Sequence, residues 1–145
     1  MPTTYTIPYG EFVAAPTPAF PSGRVAKRPF LIVSLLNGSK RLSCHAIVDS
    51  GADHFVFPRS FMGPLGIDSL IAPVERTSGV GGSNVPTHFA DITLDLQGVL
   101  TIPVYAGFTE GLDHSGIGLL GQAGFFERFK IIFDHARGIY QLEVP

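Results

Sequence analysis

The sequence holds a single cysteine, Cys44, and no tryptophan. One thiol cannot close an internal disulfide, so the chain is compatible with a reducing compartment. The five histidines (His45, His54, His88, His114 and His135) fall at no zinc-ligand spacing, and no metal or other cofactor is expected. Charge is scarce too: 15% of the 145 residues are charged and the formal net charge is −2. Phosphate binding needs a concentrated basic patch, whereas Lys27-Arg28 and Lys40-Arg41 are isolated pairs, so nucleic acid is excluded as a partner. No apolar run reaches membrane-spanning length, and no basic region followed by an apolar run marks a secretory signal. The default expectation is therefore a cytoplasmic protein with no membrane span.

What the chain does have is 45% hydrophobic residues, 17 glycines and 12 prolines. A chain of this length buries roughly two thirds of its unfolded surface, enough for one domain with its own core. Residues 1–24 are rich in Pro, Thr and Ala, and the prolines at 8, 16, 18 and 21 remove donors that a helix or central strand requires. This segment reads as an extended arm with one short strand around Glu11-Phe12-Val13. Its composition suits a disordered tail and an arm docked on a neighbouring subunit equally well. Residues 25–145 read as a single folded domain.

From Arg28 onward the pattern is that of β-structure. "RPFLIVSLL" and "KRLSCHAIVD" flank a turn opened by Asn37-Gly38, and the second strand places Leu42, Cys44, Ala46 and Val48 on one face. "HFVFP" is a further short strand, and "RSFMGPLGI" holds one helical turn. "HFADITLDL" alternates, with Ile92, Leu94 and Leu96 opposite Asp91, Thr93 and Asp95, before Gln97-Gly98 turns the chain into "VLTIPVYAGF". The glycine-rich "RTSGVGGSNVPTH" reads as the mobile tip of a long hairpin. "GQAGFFERF" is the one helix, with Phe125 and Phe129 four apart, and "KIIFDHARGIYQLEV" is a closing hairpin. The expected class is all-β with one short C-terminal helix.

One stretch carries chemistry. In "AIVDSGA" an apolar strand ends on Asp49, followed by Ser50, Gly51 and Ala52. An Asp beside Gly is most often a turn former accepting backbone hydrogen bonds. Here, however, a glycine-rich hairpin tip and a second apolar strand ending on glycine, "GIGLLGQAGFF", lie downstream. With Val48-Asp49-Ser50-Gly51-Ala52, Ser78-Gly79-Val80-Gly81-Gly82 and Leu119-Leu120-Gly121 in this order, the sequence resembles the retropepsin-like aspartic proteases. The closing segment is also similar to that of a pepsin lobe, and the resemblance covers most of residues 28–144.

The resemblance implies a closed acid-protease-like β-barrel with a flap hairpin, active as a twofold homodimer on extended polypeptide. Hydrolysis would use two aspartates sharing a proton and a water: one carboxylate takes a proton as water attacks, and its protonated partner polarises the carbonyl. Two such groups at short range titrate as a pair. The chain has one Asp-Ser-Gly triplet; Asp113-His114-Ser115-Gly116 breaks the spacing and sits at the wrong place in the topology. The second aspartate would then be Asp49 of another copy on the twofold axis. By similarity, the Ser50 hydroxyl would clasp the opposite loop, and Gly51 would allow close approach of water and substrate. Ala52 offers no hydroxyl to the carboxylates, which implies an only mildly acidic pH optimum. Asp53 matches an acid that contacts substrate backbone in retroviral relatives, but the slot of its bracing arginine reads Gln122-Ala123. Gly121 would let the Leu-Leu strand cross beneath the Asp loop. Gly79, Val80, Gly81 and Gly82 would close over substrate as the flap, and Phe30, Phe55, Phe57 and Phe89 are candidates for core or for apolar side-chain pockets.

Other chemistries fit less well. Ser50 lacks the Gly-x-Ser-x-Gly elbow of a serine hydrolase, and "GVGGS" is followed by neither lysine nor helix, as a phosphate loop would require. The serious alternative is a catalytically inactive retropepsin-fold module that binds peptides or dimerises.

Overall fold

A computed structural model describes residues 1–78 and 84–145. Among the described residues twelve strands form: β1 (Thr3–Pro8), β2 (Gly10–Ala14), β3 (Arg24–Arg28), β4 (Phe30–Asn37), β5 (Lys40–Val48), β6 (Phe55–Pro58), β7 (Val74–Ser78), β8 (Asn84–Asp95), β9 (Thr101–Thr109), β10 (Gly118–Leu120), β11 (Lys130–Asp134) and β12 (Ile139–Val144). The chain divides into two compact units, one of residues Met1–Phe30 with Arg128–Pro145, the other of Leu31–Glu127. No helix among the described residues is long and apolar enough to cross a membrane.

The larger unit contains a seven-stranded sheet in the order β4-β5-β10-β6-β9-β8-β7, and β4 pairs additionally with β8, so the ladder curls back on itself. Alternation decides which side chains it encloses. Leu42 and Cys44 are half-buried and Ala46 and Val48 buried, whereas Ser43 and His45 on the other face are exposed. Along β8, Ile92, Leu94 and Leu96 are likewise buried. Phe55, Phe57, Phe108 and Leu120 complete this core, with Phe57 and Phe108 rings 6.1 Å apart. The β8–β9 reversal is tight: Val99 N–H donates to Leu96 O at 2.9 Å, and both central residues, Gln97 (φ 43°) and Gly98 (φ 77°), are left-handed. That hand matches the twist of the flanking strands.

The smaller unit carries the three-stranded sheet β1-β12-β11 and the hairpin β2-β3. The N-terminal segment thus contains two strands where its sequence suggests one. β2 covers Glu11-Phe12-Val13, and β1 pairs antiparallel with β12 from Thr3↔Val144 to Pro8↔Ile139. Pro8 stands at the end of its ladder, where a missing donor costs least. Within this unit Tyr140 is fully buried and its hydroxyl donates to Phe30 O at 2.7 Å.

The helix expected at "GQAGFFERF" is a single wide turn over Gln122–Phe126, with Ala123 (ψ 112°) and Gly124 (φ 95°) outside helical geometry. Its first N–H groups bond the loop after β5: Gln122 N–H to Ala52 O and Ala123 N–H to Asp53 O. Phe125 is nevertheless buried as its spacing suggests, edge-on to Phe55 at 6.3 Å.

Candidate active site

Asp49 is the first residue beyond β5. Its N–H donates to Leu120 O at 3.0 Å and its carbonyl accepts Ala52 N–H at 3.2 Å, so the chain turns back at once. The carboxylate Oδ1 accepts the Gly51 N–H at 2.9 Å. To this extent Asp49 is the turn former that an Asp before Gly usually is. The turn, however, faces a cleft of about 420 Å³ with Asp49 in its wall.

The loop is held from beneath by the end of β10. Leu119 and Leu120 run parallel to Ile47 and Val48. Beyond them Gln122 N–H donates to Ala52 O at 2.8 Å and Ala123 N–H to Asp53 O at 2.9 Å. The Gln122 side-chain Nε2 donates to Ser50 O at 2.8 Å. Between these bonds sits Gly121, where a Cβ would overlap His54 O and stand 2.6 Å from Ala52 O. No side chain fits at that crossing.

The cleft draws Asp49, Gly51, Ala52, Asp53 and His54 from the loop, Val56 from β6, Val85, Thr87 and Phe89 from β8, and Leu119 from β10. Thr109, Gly111 and Leu112 line it at the end of β9 and beyond. Two carboxylates and one imidazole are its only titratable lining groups among the described residues. His54 meets the Phe89 ring edge-on at 5.5 Å, and Phe89 stacks on Tyr105 at 5.3 Å. The wall is therefore mainly apolar with a few polar groups, the usual make-up of a site for an organic ligand.

The sequence candidates distribute as follows. Asp49, Gly51, Ala52 and Asp53 share the cleft. Ser50 is exposed on the same loop. The candidates Gly79, Val80, Gly81 and Gly82 lie outside the described residues; the hairpin leading to them is paired up to Ser78↔Asn84. Of the four phenylalanines, Phe89 lines the cleft, Phe55 and Phe57 belong to the core, and Phe30 belongs to the smaller unit. Asp113 is engaged elsewhere, its Oδ1 accepting Ser60 N–H at 3.0 Å. Sequence reasoning missed His54, Val56, Val85, Thr87, Thr109, Leu112 and the Gln122–Ser50 bond. The shared parity of Val85, Thr87 and Phe89 on β8 is a signal that would have found part of the wall.

No protein-family model matches the chain, and no curated protein matches its sequence. Among solved structures, a retropepsin-like aspartic protease from Rickettsia conorii is similar over 99% of this chain and 96% of its own, with a TM-score of 0.57 at 18% identity. The EIAV protease complexed with an inhibitor is similar over 70% of this chain and 88% of its own, with a TM-score of 0.49 at 23% identity. At 18% identity the likeness to the Rickettsia protein is one of fold.

Proposed function

We propose, on the premise that the chain has the fold of the retropepsin-like aspartic proteases, that it is an aspartic endopeptidase whose Asp49 pairs with Asp49 of a second copy. The observation that carries the reading is the placement of Asp49: a carboxylate held by a backbone amide on a loop braced by β10, in the wall of a cleft with apolar sides. That anchoring leaves the other carboxylate oxygen, Oδ2, for a water or a partner acid.

In this mechanism the two Asp49 carboxylates share one proton. The ionised one accepts a proton from the attacking water, while the protonated one donates to the scissile carbonyl oxygen. Crowding two carboxylates makes the singly protonated pair the favoured state. The exposed Ser50 hydroxyl has no partner among the described residues and is available to the opposite loop. An extended polypeptide would lie along Val85, Thr87 and Phe89, and the β7–β8 hairpin would act as the flap, excluding water.

The test is casein hydrolysis across pH 4–7, with and without a statine-type inhibitor. Asp49→Asn is expected to lose about 10²–10⁴-fold in rate, the span of general acid–base catalysis, while still eluting as a dimer. Because Ala52 brings no hydroxyl to the pair, activity is expected to peak at mildly acidic pH. Undiminished cleavage by the dimeric Asp49→Asn protein would remove the reading and leave a non-catalytic peptide-binding module.

A further inference from the structure

The carbonyl of Ser50 and the N–H of Gly51 belong to one peptide group, and that group is held at both ends. Its oxygen accepts the Gln122 side-chain amide at 2.8 Å, and its N–H donates to Asp49 Oδ1 at 2.9 Å. A peptide unit is planar, so fixing its carbonyl fixes where its N–H points. Donation to the carbonyl also polarises the unit and strengthens the bond at its far end, since hydrogen bonds in a chain reinforce one another.

We infer that Gln122 is a positioning residue for Asp49, acting through the Ser50–Gly51 peptide to orient and strengthen the amide that holds the carboxylate. The backbone on either side of this peptide is pinned independently, through Asp49 N–H to Leu120 O and Gln122 N–H to Ala52 O. Among the described residues, only the Ser50–Gly51 peptide of this loop is hydrogen-bonded to side chains. Rotation of this unit between pinned neighbours is the freedom that Gln122 removes. Leu120 and Ala123 bond the loop through backbone groups, whereas Gln122 adds a side-chain bond, so substitution at Gln122 tests that bond.

The kinetic part of the test rests on the peptidase reading; a spectroscopic part does not. Gln122→Met keeps length and loses the donor. It is expected to lower kcat roughly tenfold, the worth of about one hydrogen bond, with KM and elution volume unchanged and the melting temperature lowered by no more than a few degrees. With less donation to the anion, the acid limb of the pH–rate profile moves to higher pH. Gln122→Glu cannot donate when ionised but can when protonated, so its defect is expected at neutral pH and relieved on acidification. In ¹⁵N-labelled protein, Gln122→Met is expected to shift the Gly51 amide proton upfield.

Unchanged kcat and pH profile in Gln122→Met would overturn the inference. So would a fall in rate that tracks a fall in melting temperature and is not relieved by acid in Gln122→Glu. Should the wild-type protein cleave nothing, the Gly51 resonance decides alone. A shift would uphold the clamp while the peptidase reading falls, and an unmoved resonance would remove the clamp as well.

Discussion

A single side chain on β5 shows how the sheet sets chemistry as well as shape. Cys44 lies on the inward face with Ala46 and Val48, and burial pushes its thiol up from 9.0 to about 11, a rise only partly offset by a hydrogen bond from the Gly118 backbone. At a pH well below both values the thiolate fraction falls in proportion to the acid constant, and the thiolate is the nucleophile. Alkylation of the native protein by iodoacetamide at pH 8 is therefore expected to run roughly 100-fold slower than in urea, from thiolate fraction alone. The folded value lies above the unfolded one, so the native state favours the neutral thiol. That contribution to stability is fully present below pH 9 and is lost as pH rises through about 11. Equal labelling rates in folded and unfolded protein would show that the strand does not shield Cys44. Asp49, five residues on and just beyond the same strand, faces the cleft instead.

Among the elements, β10 has the most to hold with the fewest residues. Three residues long, it pairs parallel with β5 and antiparallel with β6, and its end supports the Asp49 loop. Gly121→Ala would drive a methyl group into the carbonyl oxygens of His54 and Ala52. Backbone atoms cannot turn aside as a side chain can, so the expected cost is about 3 kcal/mol, the upper part of the overpacking range. Gly63 is the control, since a Cβ there meets nothing within 4 Å and Gly63→Ala should stay within about 0.5 kcal/mol. Urea midpoints of the two variants against wild type decide it; indistinguishable midpoints would mean the crossing is looser than the structure has it. The contrast also marks what was legible in sequence. Strands such as β5 and β8 announce themselves because one face is buried and alternation records it. The Asp49 loop and Gly121 are visible because their residue types are unusual at a strand end. The β1–β12 pairing is not visible, because Thr3–Pro8 owes its conformation to a partner at the far end of the chain. The Gln122 bond to Ser50 and the Thr87 wall are missed for the same reason: each is a meeting of segments distant in sequence. The turn at Gln122–Phe126 departs from its helical pattern at Ala123 and at Gly124, whose left-handed φ of 95° breaks the run.

At the scale of the whole molecule, the chain's single Asp-Ser-Gly loop makes association part of the proposed chemistry. A water between two acids, one of them protonated, needs two loops, and the chain has one. Closed twofold symmetry is the simplest way to bring identical loops face to face. Mixing then becomes a test that dilution alone is not, because dilution also exposes a protein to adsorption and unfolding. Wild-type chains mixed with an equal amount of Asp49→Asn and allowed to exchange would distribute at random. A quarter of the dimers would be wild type on both sides, and total activity would fall to about half that of the same wild-type chains alone. A monomeric enzyme, or a dimer whose two clefts work separately, would lose nothing on mixing. Hydrolysis that survives mixing undiminished, with exchange shown by differential tagging, would place the chemistry within one chain, and the shared-proton mechanism would have to be abandoned even though the fold remained.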